Sequence, residues 1–202
     1  MFYFFGWIYD WSIELLLKRI KREIARYVSE HNLSPTLDIC CGTGKQCHLV
    51  GINKQKIIGL DRDLKMIQYA NSKYPSIPFI CADAAYIPLR NACFKSIVIS
   101  YSLHDKPPEL HPKMLREVRR LLVPEGKMIL LDFEHPWNRI SRITALFTYL
   151  IERTAGREHF KNGRQFLKQG GLKALIKQNG IVELERHNIE LGNSSMVVAK
   201  FT

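Results

Sequence analysis

The sequence has no run of about eighteen consecutive apolar residues, the length that a membrane-spanning helix needs. It has no pair of cysteines at the CxxC spacing of a zinc knuckle, although it contains five cysteines, including the adjacent Cys40 and Cys41. An odd number in this arrangement is not the pattern of a disulfide framework. We therefore expect a soluble, cytoplasmic protein with free thiols and no metal site.

Acidic residues are scarce relative to basic ones, since 19 Asp and Glu against 30 Lys and Arg give a formal net charge of +11. Such a charge fits nucleic-acid binding, because a basic surface gains free energy by releasing phosphate counterions. It also fits a peripheral association with anionic membranes. Solvated faces of several amphipathic helices explain the charge more simply. We therefore rank nucleic acid below a small-molecule partner.

Residues 1–28 are rich first in aromatic and then in basic side chains. Asp10 and Glu14 interrupt the apolar run, and the basic residues follow it instead of preceding it, so the segment is not a signal peptide. From Ile13 to Val28 the apolar residues recur at helical spacing, which predicts an amphipathic helix. We expect residues 1–32 to pack on the core, to cover a hydrophobic acceptor as a lid, or to rest on a membrane surface.

A length of 202 residues fits one domain. The predicted strands are Thr36–Cys40, Lys56–Asp61, Ile77–Ala82, Ser96–Tyr101 and Lys127–Phe133, and the predicted helices are Gly44–Val50, Asp63–Lys73 and Glu109–Leu122. This alternation predicts an α/β, Rossmann-like, doubly wound fold, in which a mostly parallel sheet carries helices on both faces.

The pattern changes after the last of these strands. We expect residues 36–133 to form a cofactor-binding core and residues 134–170 to add a helical segment near the acceptor pocket. Residues 171–202 predict a helix ended by Gly180 and a closing hairpin that supplies one antiparallel edge strand.

The stretch LDICCGTGKQ, residues 37–46, places a loop at the carboxyl edge of the sheet, where open α/β folds bind ligands. It is not a Walker loop, because Ile39 and Gln46 stand where a glycine and a Ser or Thr are required. Cys47 weakens a nicotinamide fingerprint, since close packing at that position favours Gly or Ala. Asp38 would repel a pyrophosphate but suits a cationic amine.

Two further acids end the next two strands. Asp61 is placed to accept hydrogen bonds from a ribose diol, and Asp83 from the exocyclic amine of adenine. Each alone could simply cap a turn or helix. Together with Asp38 around one Gly-Thr-Gly, they indicate a ligand with an amine, a ribose and an adenine but no phosphate, which describes S-adenosylmethionine.

The motifs LDICCGTGKQ, IIGLDRDLKMIQYA, CADAAYIPLRNACFKSIVISYSLHD and REVRRLLVPEGKMILLDFEHP resemble, in order and spacing, those of class I S-adenosylmethionine-dependent methyltransferases. The sequence looks most like the group that contains the menaquinone/ubiquinone-biosynthesis C-methyltransferases. The resemblance implies S-adenosylmethionine as cofactor, with its methionyl part on the glycine loop, its ribose on Asp61 and its adenine on Asp83. The implied cofactor-binding set is Asp38, Cys40, Gly42, Thr43, Gly44, Gln46, Asp61, Arg62, Met66, Asp83, Ala84 and Ser100.

Two positions depart from the pattern of this class. Cys40 stands where the first glycine of the loop is usual, which leaves Gly42 and Gly44 to permit close approach of the backbone. Lys95 stands where these proteins commonly carry an acid, at a position that we interpret as structural.

The expected reaction is methyl transfer to a small, hydrophobic acceptor, either quinone-like or lipid-related. His104, after the fourth strand, is the candidate base, although it could equally cap a loop. Tyr101 could orient the acceptor or pack in the core, and His135 and Trp137 could line the acceptor pocket or only pack. An RNA methyltransferase and a non-catalytic S-adenosylmethionine-binding protein remain as alternatives.

Overall fold

The computed structural model describes residues 18–136, 156–189 and 193–202, together with the single positions 145, 149 and 153. Its elements are α1 (residues 18–30), β1 (Thr36–Ile39), α2 (Lys45–Gly51), β2 (Ile57–Asp61), α3 (Leu64–Lys73), β3 (Phe79–Cys81), β4 (Phe94–Ser100), α4 (His111–Leu121), β5 (Leu122–Phe133), α5 (Arg157–Lys168), α6 (Gly171–Gln178), β6 (Ile181–Asn188) and β7 (Ser194–Phe201). The N-terminal aromatic segment, with the lid predicted for it, and Trp137 lie outside the described residues. No helix in the described part of the chain is long and apolar enough to cross a bilayer.

The seven strands form one sheet in the order β3-β2-β1-β4-β5-β7-β6. The first five strands pair in parallel, whereas β7 pairs antiparallel with both of its neighbours. The predicted fold, a mostly parallel sheet with an antiparallel element at one edge, is confirmed. The pairing adds one detail, which is that β7 lies between β5 and the outermost strand β6.

Both faces of the sheet are buried, because the central strands β4 and β5 carry apolar side chains at several consecutive positions rather than only at alternate ones. In β4, Ile97 and Ile99 join a core cluster with α4 and α6, whereas Val98 between them joins a second cluster with α1 and α2. β5 alternates in the same way. The helices therefore cover both faces, as the doubly wound prediction requires.

Strand β5 begins earlier than predicted. It starts at Leu122, directly after α4, and Leu122 pairs with Phe94 before a shift of register brings Lys127 opposite Ser96. Pro124 and Gly126 lie between these two positions and interrupt the apolar residues. The prediction relied on continuous apolar residues, so it missed this part of the strand.

Candidate cofactor and acceptor sites

The loop after β1 bends repeatedly through left-handed backbone conformations. Cys40, Gly42 and Gly44 have φ angles of 60°, 51° and 75°. A Cβ added at Gly44 would lie 2.7 Å from the ring of Phe79, so this glycine is required for packing. A Cβ added at Gly42 would meet no atom within 4 Å, so Gly42 faces open space. The loop is thus closed against the core at one glycine and open toward a ligand at the other.

Asp38, at the end of β1, is a buried acid beneath this loop, with 1% of its surface exposed. The Cys47 thiol of α2 lies 3.3 Å from its Oδ2, and its Oδ1 has no hydrogen-bond partner among the described residues. Burial raises the pKa of Asp38 from 3.8 to about 7, against the lowering effect of the Cys47 thiol and of nearby Lys21. A buried carboxylate oxygen without a donor is a site for a cation.

Asp61, at the end of β2, connects the glycine loop to the next helix. Its Oδ2 accepts the Gly42 amide at 2.9 Å, and its Oδ1 accepts the Asp63 amide at 3.0 Å. Because each carboxylate oxygen can accept more than one hydrogen bond, these contacts leave Asp61 able to bind a ribose hydroxyl. Asp61 therefore shapes the loop in addition to its predicted role.

A cavity of about 270 Å³, which we call the cofactor cavity, opens at the carboxyl ends of β1 to β4. It brings together six members of the predicted cofactor-binding set and Tyr101. These residues are Cys40, Asp61, Arg62, Met66, Asp83, Ala84 and Tyr101. Six residues of the set do not line it, namely Asp38, Gly42, Thr43, Gly44, Gln46 and Ser100. Gly42, Thr43 and Gly44 belong to the glycine loop, and Gln46 lies in the first turn of α2 after it. The predicted cofactor-binding residues therefore fall into two groups, one that lines the cavity and one in or next to the glycine loop above Asp38.

Gln46 makes a contact that the sequence did not predict. Its side chain is buried, and its Nε2 donates to the carbonyl of Lys21 in α1 at 3.1 Å. Its Oε1 is buried without a hydrogen-bond partner among the described residues. Gln46 thus joins α1 to the start of α2, next to the glycine loop.

The loop that carries Asp83 is held by α4. The Asp83 carboxylate accepts the Ala85 amide at 2.8 Å, the capping contact that was its alternative role. Arg120 donates to the carbonyls of Ile87 at 2.8 Å and Leu89 at 2.7 Å, while Glu117 accepts the Ile87 amide at 2.8 Å. The loop beside the cofactor cavity is therefore fixed by charge-assisted hydrogen bonds.

Asp105 and Lys106 also line the cofactor cavity, and the sequence analysis assigned neither to the cofactor. Lys106 Nζ lies 2.5 Å from Asp105 Oδ1. The only sequence signal was their position directly after His104. This ion pair neutralises Lys106, one of the two cations in the cavity lining, the other being Arg62.

These features fit S-adenosylmethionine. Asp38 has a buried oxygen without a hydrogen-bond partner among the described residues, Gly42 leaves space beside the loop, and Asp61 and Asp83 line the cavity in which the resemblance places the ribose and the adenine. Cys40 contributes a neutral wall, because burial raises the pKa of its thiol to about 12.

The candidate base, His104, is buried with 2% of its side chain exposed. Its Nδ1 lies 2.7 Å from Oδ1 of Asp132, a fully buried acid of β5 that the sequence analysis missed. Asp132 also accepts the amides of Leu103 at 2.8 Å and Phe133 at 2.8 Å. In the sequence, Asp132 is distinguished only as a single acid within the apolar run MILLDF. The role of His104 as base stays a prediction.

Tyr101 lies between the cofactor cavity and a second cavity. Its φ is 49°, an uncommon value for a bulky residue, and its ring centroid is 5.5 Å from that of Phe133. Phe133 borders a cavity of about 170 Å³ that we call the apolar cavity. The apolar cavity is lined by Phe133, Pro136, Ala145, Tyr149, Phe160, Gly163, Arg164, Leu167 and Asn193. His135 is exposed and does not line it.

Residues 36–126 match the family model of a methyltransferase domain. The chain is 37% identical over 106 residues to a 2-phytyl-1,4-naphtoquinone methyltransferase of Thermosynechococcus vestitus, which covers 50% of this chain and 46% of that protein. It is 29% identical over 147 residues to a demethylmenaquinone methyltransferase of Lactococcus lactis, covering 69% of this chain and 53% of that protein. The chain thus spans about half the length of these curated relatives.

Solved methyltransferase structures share the fold. The CurJ carbon methyltransferase superposes with a TM-score of 0.67 at 19% identity, covering 95% of this chain and 56% of that chain. The glycopeptide N-methyltransferase MtfA, complexed with sinefungin, superposes with a TM-score of 0.65 at 13% identity, covering 90% of this chain and 94% of that chain. Residues 36–126 thus belong to a methyltransferase domain, and the motifs and sheet order around them are those of the class I S-adenosylmethionine-dependent methyltransferases.

Proposed function

We propose that the protein transfers a methyl group from S-adenosylmethionine to a small, apolar acceptor of the quinol type. The observation that carries this proposal is the apolar cavity next to the cofactor cavity, with Tyr101 and Phe133 between the two. An aromatic and aliphatic lining suits a flat, apolar ring. The two similar curated methyltransferases are named for 2-phytyl-1,4-naphtoquinone and for demethylmenaquinone, which supports the same class of acceptor.

The bound cofactor supplies an electrophilic methyl group, and the protein's contribution is to hold donor and acceptor in register. Positioning of this kind accounts for roughly 7 to 11 kcal/mol of barrier reduction in the best-oriented systems. Asp38 and Asp61 orient the donor side of the site. The strained backbone of Tyr101 fixes the boundary that the acceptor faces. Asp38, Gly42 and Gly44 hold the methionyl part in this proposal, as the resemblance implies.

The added segment, residues 134–170, contributes to the acceptor site in this proposal. Its described helix α5 supplies Phe160, Gly163, Arg164 and Leu167 to the apolar cavity. The segment therefore sets the size and chemistry of the acceptor, while residues 36–133 hold the cofactor.

The test is transfer of a labelled methyl group to 1,4-naphthohydroquinone, with phospholipid vesicles and total RNA as competing acceptors. Label in the extracted hydroquinone is the expected result, and label confined to RNA would overturn the proposal. Phe160→Ala should raise the acceptor KM by ~10-fold, because the half-buried ring contributes about 1.5 kcal/mol of apolar burial, the low end for a phenylalanine. Phe201→Ala, at another half-buried aromatic, is the matched control and should leave that KM unchanged.

We further propose a cytoplasmic protein that associates peripherally with anionic membranes, where apolar quinols reside. Lys18, Arg19, Arg22 and Arg26 are exposed along α1 and give it a basic face. Each such cation near an anionic surface contributes ~1 kcal/mol. Binding to vesicles that contain phosphatidylserine, lost at high salt and weakened by Arg22→Glu, is the expected result. Absence of binding at low salt would contradict it.

A further inference from the structure

His159 of α5 lies next to the buried His104. Their ring centroids are 5.3 Å apart and the rings meet edge to face at 85°. The side chain of His159 is 25% exposed, whereas that of His104 is 2% exposed. We propose that His159 contacts the acceptor hydroxyl and takes its proton, with His104 and Asp132 as positioning residues behind it. This inference rests on the proposed function, since it specifies how that acceptor is activated.

His104 is too deeply buried for an acceptor to contact it in this structure. A general base must come within about 2.6 to 3.2 Å of the atom that carries the proton, directly or through one water. His104 is enclosed by Phe133, whose ring centroid lies 4.4 Å away, and by His159. By contrast, 25% of the His159 side chain is exposed to solvent. An acceptor can therefore reach His159 without the rearrangement that contact with His104 requires.

Asp105 provides the charge that a protonated His159 needs. Its Oδ2 lies 3.8 Å from His159 Nδ1, too far for a hydrogen bond but close enough to stabilise an imidazolium ion. Its Oδ1 is held by Lys106 at 2.5 Å. Asp105 also lines the cofactor cavity, so the imidazole stands beside the wall of the cavity where the methyl donor is expected.

The loop and helix that carry these residues are joined. Asn162, one turn after His159, donates its Nδ2 to the carbonyl of Asp105 at 2.8 Å. On the other side, Asp132 holds both the His104 imidazole at 2.7 Å and the His104 amide at 3.3 Å. His159 is therefore backed by a histidine whose ring and backbone are both fixed by one acid.

The proton balance of the step is simple. The acceptor O–H bond breaks, its electron pair stays on the acceptor oxygen, and the proton joins the His159 imidazole. The resulting phenolate is a stronger nucleophile toward the methyl group than the phenol. One proton per turnover then leaves to solvent from the exposed side of His159.

Among the described residues, Asp105 and His104 are the titratable groups that contact His159, and Lys106 and Asp132 lie behind them as the partners of Asp105 and of His104. A base that must be neutral makes kcat fall about tenfold per pH unit below its own pKa. Asp105→Asn should lower kcat, because it removes a negative charge 3.8 Å from the imidazole that accepts the proton.

The decisive kinetic variant is His159→Gln, assayed with 1,4-naphthohydroquinone. Loss of a general base should lower kcat by on the order of 10²-fold, leave the acceptor KM within about threefold and flatten the low-pH limb. His187→Gln, at an exposed histidine of β6, is the matched control and should change neither. An unchanged kcat and pH profile in His159→Gln would overturn the inference, as would a loss confined to His104→Gln.

A second measurement does not need turnover. In protein labelled at its histidines, NMR should show the His159 imidazole signals shifting when 1,4-naphthohydroquinone is added. If the wild-type protein transfers no methyl group to the hydroquinone, the proposed function fails. If the His159 signals do not shift, the inference about His159 fails independently of turnover.

Discussion

Asp38→Asn should remove the pH dependence of S-adenosylmethionine binding. In the proposed site the cofactor's ammonium group pairs with the Asp38 carboxylate and so binds its ionised form, whereas burial raises the pKa of this acid to about 7. At pH 7 about half of the protein carries that carboxylate, and at pH 6 only about one eleventh does. Affinity should therefore fall ~5-fold between pH 7 and 6, and ~10-fold over each further unit.

The same acid has the opposite effect on the cofactor-free protein. A pKa that rises on folding gives stability that is complete below the unfolded value of 3.8 and is lost as pH rises through about 7. A shift of this size corresponds to roughly 4 kcal/mol. The amide of Asp38→Asn cannot ionise, so this variant should melt at a higher temperature than wild type at pH 8 and show little difference at pH 4.

Isothermal titration with S-adenosylmethionine at pH 5, 6 and 7 measures the first effect, and thermal melting without cofactor at pH 4 and 8 measures the second. Buffers of different ionisation enthalpy should report uptake of a proton by buffer as the wild-type complex forms at pH 6. A pH slope retained in Asp38→Asn would refute the assignment of the titration to Asp38. A lower melting temperature of that variant at pH 8 would refute the account of its burial.

Three other substitutions test parts of the cofactor site. Arg120→Ala should lower the free energy of unfolding by on the order of 2 to 3 kcal/mol and weaken cofactor binding, because it removes the hydrogen bonds that hold the loop after Asp83. Denaturant melts measure the first effect and titration calorimetry the second. An unchanged cofactor affinity would contradict this account of the loop. Gly44→Ala should destabilise by ~2 kcal/mol in a denaturant melt, because its φ is 75° and its Cβ would meet the Phe79 ring. Cys40→Gly should leave the melting temperature equal or higher, because relief of ~1 kcal/mol at φ 60° offsets the greater freedom of the unfolded chain. A clear loss of stability in Cys40→Gly would show that thiol packing outweighs the strain.

The strands and the glycine loop were predictable because their signals are local. The buried strands contain short runs of apolar residues, and Asp61 and Asp83 follow two of these runs directly. The partnership of His104 with Asp132 was not predictable, because it joins the ends of two strands that lie 28 positions apart in the chain. Which acids face a cavity depends on loop geometry, so Asp105 could not be assigned to the cofactor cavity from its position after His104.

The glycine positions show the same limit. The sequence indicated that Gly42 and Gly44 permit close approach, yet only the structure distinguishes one that packs against an aromatic ring from one that faces open space. Cys40 adopts the left-handed conformation of the glycine that it replaces. The sequence predicted a tight turn in the glycine loop, and the structure shows that Cys40 occupies a strained backbone conformation in it.

The placement of β7 between β5 and β6 has a consequence for the order of folding. Met128 of β5 pairs with Ala199 of β7, and the edge strand β6 pairs only with β7 among the described strands. During synthesis, β1 to β5 emerge well before the strand that completes their sheet, so the β7 side of β5 stays unpaired for that interval. An open, apolar strand edge favours aggregation. Chaperone dependence should therefore be greatest for nascent chains that end between residues 133 and 194.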